Sequence, residues 1–210
     1  SENIVFVRMD INRFRLINAY WGETGGDELL KFIGEQIRLA VSEYDWSSYG
    51  RIESDVFCFC IPYEKEKCEN SLQLLIRKIG EYNTRYLIEP SFGLYVVEDF
   101  QLSCENMFMY ATLAAKACKG KYMKYSDFYN EKMSDNLMIE QEITQDMQRA
   151  LENEEFIPYF QPKYNTKTRR PYGAEALVRW KHPEKGMISP GVFIPVFEKN
   201  GFIGNLDYYI

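Results

Sequence analysis

Two carboxylates far apart in the chain could share one piece of chemistry. Asp10 closes the run Ile4-Val-Phe-Val-Arg-Met-Asp10, whose β-branched and aromatic residues predict a strand. Asp55 lies in the polar corner Glu53-Ser54-Asp55, between Tyr49-Gly-Arg-Ile and Val56-Phe-Cys-Phe-Cys-Ile-Pro62. The latter run puts Val56, Cys58 and Cys60 on one face and Phe57, Phe59 and Ile61 on the other. Both faces are apolar, which predicts a central strand covered on two sides. Paired acids on adjacent strands are what a Mg²⁺–triphosphate site requires, because the metal takes hard oxygen ligands and bridges phosphate oxygens. The pattern alone leaves the alternative open, in which Asp10 is a strand-end acid and Asp55 an ordinary turn residue.

The elements that must position these acids follow in order. Ile11 to Gly22 reads as a short helical or irregular segment containing Phe14, Ile17 and Asn18. Gly25-Gly26-Asp27 opens an amphipathic helix with Leu29, Leu30, Ile33, Ile37, Val41 and Tyr44 at helical spacing. After the hairpin, residues 66–82 predict a helix and 90–97 a strand, where Pro90 and Gly93 suggest a bend or an edge. Ser103 caps a third helix running to Lys119 and ended by Gly120, and residues 121–125 predict a last short strand. The fold class is α/β (α+β), with a βαββαβ heart of the ferredoxin-like kind. Its first and third strands are neighbours, so Asp10 and Asp55 meet at one end of the sheet.

With 210 residues, the chain is long enough for one domain and a remainder. A net charge of −6 excludes a nucleic-acid polymer as partner but not a single nucleotide. No apolar run reaches the ~18 residues of a membrane span, and no signal peptide is visible. The five cysteines show no CxxC pair, which predicts free thiols and a cytoplasmic protein, whose parent is open to an upstream sensor or membrane anchor.

Met9-Asp-Ile-Asn-Arg-Phe-Arg-Leu-Ile-Asn18, Gly22 and Gly26-Asp27 resemble the opening signature of GGDEF domains, the diguanylate cyclase family of bacterial signalling. Arg51-Ile-Glu-Ser-Asp-Val-Phe57 stands where that family carries Arg-x-Gly-Gly-Asp/Glu-Glu-Phe. The resemblance spans roughly residues 4 to 127. It implies Asp10, the Ile11 carbonyl and Asp55 as ligands of Mg²⁺ or Mn²⁺, Asn18 and Asp27 as partners of guanine, and Lys116 and Lys121 as triphosphate contacts. Lys116 lies one place off the usual spacing to Gly120.

The departures bear on activity. Glu53 and Ser54 replace the two glycines of the motif, and Glu53 adds a negative charge where phosphates should lie. Like charges at short range in a partly desolvated site cost on the order of kilocalories per mole. Val56 removes the second acid, so the hairpin Glu53, Ser54, Asp55, Val56, Phe57 leaves no intact catalytic set. The Arg-x-x-Asp sequence used in that family for product inhibition is absent, with Tyr44 and Ser47 in its place. The expectation is a catalytically silent domain, with weak metal-assisted GTP binding left open.

From Ser134 the composition changes. Leu137, Ile139, Ile143, Met147, Ala150 and Leu151 form a single stripe on a polar helix, which reads as a linker over 131–153 between a first domain at 1–130 and a second at 154–210. Two strands follow, and in the second Glu175, Leu177 and Arg179 share a face. An acid and an arginine inside a sheet are costly unless they meet a ligand or each other. Tyr159-Phe-Gln-Pro162, Glu175-Ala-Leu-Val-Arg179, Gly186-Met-Ile-Ser-Pro190 and Phe193-Ile-Pro195 resemble the start of an EAL domain, a (β/α)-barrel cyclic di-GMP phosphodiesterase family. That resemblance implies Glu175 as a metal ligand and Gln161 and Arg179 as substrate contacts. His182, in a polar loop, reads as a surface residue. A closed barrel needs ~250 residues, so only its first strands and helix are expected in this chain. The open strands, carrying Phe156, Phe160, Leu177 and Trp180, predict a homodimer contact through 156–210, with the linker helix as the other candidate seam.

GTP and cyclic di-GMP are thus the expected ligands of a regulatory GGDEF domain joined to an incomplete EAL domain. An active cyclase with an unusual hairpin, or an interaction module binding no nucleotide, are the alternatives.

Overall fold

The computed structural model describes residues 3–83 and 85–210 and divides into two compact units, one running to Ser134 and the other spanning Asp135–Ile210. The first unit is built on five strands in the order β2-β3-β1-β4-β5. Strand β1 (Ile4–Ile11) is followed by helix α1 (Phe14–Val41), β2 (Ser48–Glu53), β3 (Val56–Pro62), α2 (Lys65–Gly80), β4 (Pro90–Val97), α3 (Cys104–Cys118) and β5 (Ser126–Phe128). β1 runs antiparallel to both β3 and β4, and Met9 faces Phe57 on one side and Phe92 on the other.

Alternation along β1 divides the unit into two layers. Val5, Val7, Met9 and Ile11 are buried against the apolar stripes of α1 and α2, represented by Leu29, Ile33, Ile37, Leu72, Leu75 and Ile79. Phe6, Arg8 and Asp10 therefore point to the opposite layer, where α3 packs. Arg8 is in register with Cys58 on β3 and Gly93 on β4, so the three form one row across that face. Burial raises the Cys58 thiol to about 11, with Arg8 opposing the shift.

Helix α1 bends at Gly22, whose φ of 74° lies in the left-handed region. The bend separates the Asn18 segment from the longer amphipathic stretch, which starts before Gly25 rather than at it. Gly93 has a different reason from the bend or edge expected of it. β4 is an interior strand, and a Cβ at Gly93 would lie 1.8 Å from the Ala111 carbonyl oxygen and 2.5 Å from the Ala115 nitrogen. Glycine lets the α3 backbone rest on the strand, with Ala111, Ala114 and Ala115 completing the close approach. Ser103 caps α3 by accepting from the Asn106 N–H, as its position predicts. The last strand is displaced from 121–125 to Ser126–Phe128 and runs parallel to β4. Left-handed Gly120 and Met123 keep 121–123 in a turn, so the chain meets β4 only from Tyr125, whose carbonyl accepts from the Phe92 N–H.

In the second unit, α4 (Glu131–Glu152) leads to β6 (Phe156–Tyr164), β7 (Pro171–His182), β8 (Gly186–Ile188), α5 (Pro190–Asn200) and α6 (Ile203–Tyr209). The three strands form an antiparallel sheet in the order β6-β7-β8. Phe156 and Trp180 pair across β6 and β7 and are sealed by Phe193 and Phe197 of α5. The expectation that these two rings are exposed is therefore corrected: α5 covers that face, while Phe160 is exposed. Ile143 and Ala150 of α4 complete this core, whereas Leu137 and Ile139 of the same stripe are exposed.

Candidate functional site

The antiparallel register brings the end of β1 beside the β2–β3 corner, which places Asp10, Ile11 and Asp55 together. Asp55 is fixed there by its own bonds: Oδ2 accepts from the Ile11 N–H at 2.9 Å and Oδ1 from the Ser54 hydroxyl at 3.2 Å. Ser54 adopts φ 45° in this corner, a left-handed conformation that glycine takes without a steric penalty. The Arg51 Nε–H donates to the Ser54 carbonyl at 2.6 Å and braces the turn. Glu53 is exposed, and Val56 is buried in β3, where it presents no carboxylate.

Asp10 is buried and already paired. Its Oδ2 accepts from Arg8 Nη1 at 2.8 Å and from Lys119 Nζ at 2.6 Å. Lys119 arrives from the C-terminal end of α3, which the Gly93 contact seats on the sheet. Lys116 and Lys121, the lysines singled out by sequence, are both exposed. Sequence reasoning missed Lys119 and Arg8. The available signal was that Arg8 precedes Asp10 by two residues and so shares its face.

These residues, as arranged, do not fit a divalent cation. Such an ion needs carboxylate oxygens with uncompensated charge, and the Asp10 charge is compensated by a guanidinium and an ammonium in direct contact. Its other oxygen, Oδ1, is closed off from solvent and without a partner.

Asn18 and Asp27 lie on the two sides of the Gly22 bend. Asn18 packs onto Gly26 so closely that a Cβ there would sit 1.9 Å from its Oδ1. That Oδ1 is buried without a hydrogen-bond partner, while Asp27 is exposed. Among the described residues, the buried side-chain atoms without partners are Arg8 Nε, Asp10 Oδ1 and Asn18 Oδ1. Two belong to candidate residues and the third to the arginine paired with one of them. A groove of about 590 Å³ on the α3 face is lined by Phe6, Tyr49, Cys60, Cys104 and Phe108 among others, and by none of the candidate residues.

In the second unit Glu175 stands directly opposite Gln161, and Tyr159 opposite Leu177, on the face away from Trp180. Glu175 is exposed and bonded to Lys163 at 3.1 Å rather than to Arg179. The Arg179 guanidinium donates to the Val178 carbonyl and lies 5.9 Å from the Tyr159 ring centre. His182 is not a surface residue: it is only 3% exposed. Its Nδ1 accepts the backbone N–H groups of Glu184 and Lys185, both at 3.1 Å. Its Nε2 lies 3.1 Å from Asp146 Oδ2 and 3.3 Å from Arg149 Nη2. Trp180 Nε1 donates to the buried Glu155 at 2.9 Å.

Comparison with known proteins identifies both units. The model of the diguanylate cyclase GGDEF domain matches residues 1–121, and that of the EAL domain matches residues 144–210. The cyclic di-GMP phosphodiesterase NbdA of Pseudomonas aeruginosa is 28% identical over 100% of this chain and 27% of its own length. The bifunctional diguanylate cyclase/cyclic di-GMP phosphodiesterase MucR of the same organism is 27% identical over 96% of this chain and 30% of its own. The chain thus spans less than a third of these curated relatives. In structure, the S helix–GGDEF–EAL portion of Vibrio cholerae LapD superposes with a TM-score of 0.57 at 12% identity, covering 99% of this chain and 49% of that one. The active GGEEF domain of a Vibrio cholerae diguanylate cyclase gives 0.54 at 18% identity, covering 62% and 85%. At such identities the structures speak for the fold alone. The chain belongs to the GGDEF domain family, and its second unit continues into part of an EAL domain.

Proposed function

We propose that this chain comes from a cyclic di-GMP signalling protein in which the GGDEF domain is a regulatory guanine-nucleotide receptor without cyclase activity. The EAL domain, completed, would be the phosphodiesterase, with Glu175 holding metal and Gln161 and Arg179 meeting substrate. The observation that carries the reading is the engagement of Asp10 by Arg8 and Lys119. Buried Val56 adds to it, because the position carries no second acid. Phosphoryl transfer between nucleotides depends on positioned cations that neutralise developing charge, and this site spends its cations on its own carboxylate.

The purified chain, incubated with GTP and either Mg²⁺ or Mn²⁺, is expected to form no cyclic di-GMP above a protein-free control by chromatography. Steady product accumulation would overturn the silent reading in favour of an active cyclase with an unusual hairpin.

Retained nucleotide binding is supported by Asn18 and Asp27, which stand where the family pairs with guanine, and by the exposure of Asp27. By calorimetry GTP is expected to bind at least about tenfold more tightly than ATP, because a site that pairs with one base leaves polar groups unpaired with the other. Asn18→Ala should erase the difference. Equal affinities in the unsubstituted chain, or no binding of either nucleotide, would instead make the domain an interaction module.

A further inference from the structure

We propose that Arg8 and Lys119 are internal cations standing in place of the divalent metal, so that the Asp10–Asp55 end of the sheet binds no Mg²⁺ or Mn²⁺. Asp10 lies on the α3 face of β1 and is 5% exposed. Arg8, two residues back on the same face, approaches from within the sheet, its side chain only 10% exposed. A contact of its guanidinium with the Phe108 ring, at 5.8 Å, holds that orientation from α3. Lys119 approaches from the C-terminal end of α3, its side chain 42% exposed. Both cations converge on Oδ2. Asp55, the other acid, has both oxygens engaged by the Ile11 N–H and the Ser54 hydroxyl.

The charge balance decides the outcome. Asp10 and Asp55 carry two negative charges, and Arg8 and Lys119 return two positive ones within hydrogen-bond reach of Asp10. A divalent ion would have to displace an ammonium and then sit beside a buried guanidinium, where like charge and loss of hydration both oppose it. Binding of any nucleotide here would consequently be indifferent to divalent cations. The inference rests on the same site as the proposed function.

Mn²⁺ alone is the probe, read by electron paramagnetic resonance of the free ion during titration of the 210-residue chain. The unsubstituted chain is expected to show no specific site up to millimolar Mn²⁺. Lys119→Met, a change at a half-exposed position, should create one site at least about tenfold tighter, the scale on which a contacting unit charge shifts carboxylate equilibria. Arg8→Met combined with Lys119→Met should tighten it further, and Asp10→Asn added to either should remove the gain. A Mn²⁺ site in the unsubstituted chain that Asp10→Asn abolishes would overturn the inference. So would an affinity unchanged from the unsubstituted chain in the well-folded Lys119→Met protein. No nucleotide is present, so this result stands or falls apart from the cyclase assay.

Discussion

Gly93→Ala is expected to destabilise the GGDEF unit by about 3 kcal/mol or more, the upper end for a methyl forced into a filled space. The three nearest atoms met by the new Cβ, the Ala111 oxygen at 1.8 Å, the Ala115 nitrogen at 2.5 Å and the Ala111 carbonyl carbon at 2.8 Å, all belong to the backbone. No side-chain rotation relieves such an overlap, so α3 must lift from β4. The lift loosens Ala114, Ala115 and Cys118 together and draws Lys119 away from Asp10. Gly50→Ala is the control, since nothing lies within 4 Å of a Cβ there. Urea denaturation followed by circular dichroism gives the comparison. Equal midpoints for the two variants would refute the account of how α3 is seated.

Trp180→Ala should have a comparable effect on the EAL unit, a loss of about 3–5 kcal/mol for a large aromatic removed from a closed core. Trp180 is fully buried, with its ring centre 5.1 Å from Phe156 and 5.7 Å from Phe193. It also supplies the N–H that satisfies Glu155, itself buried. Trp180→Phe keeps most of the ring contacts and removes the donor, and should cost about 1–3 kcal/mol, the penalty for an abandoned buried polar partner. Limited proteolysis of residues 153–210 checks both. The alanine variant should be cut fastest, and identical cleavage rates for all three proteins would contradict the packing argument.

The approach of Asp55 to the end of β1 was legible because strand order and alternation follow from short apolar runs whose period is two. Ser103 was legible as a cap because capping is a local matter of one side chain and a nearby N–H. What escaped the sequence depends on contacts between distant residues. Lys119 reaches Asp10 only because α3 lies on Gly93, and no helical period reveals where a helix end will stop over a sheet. His182 looked solvent-facing within Lys-His-Pro-Glu-Lys. Its burial comes from Asp146 on α4 and from the turn it closes with its own following amides. Phe156 and Trp180 appeared uncovered with only the first strands of a barrel expected, yet α5 shields them together with Ile143 and Ala150 of α4.

The placement of β1 has a consequence for how the protein is made. Of the five strands in this sheet, the first in chain order is the middle one, and neither of its neighbours is next to it in the chain. Ile4 waits for Pro62 on one side and for Val97 on the other. Such long-range closure is slow, and an apolar strand with a bare edge is exposed to other chains while it waits. A chain that has made only the β1–β3 pairing therefore has a central strand with a single neighbour and an open side.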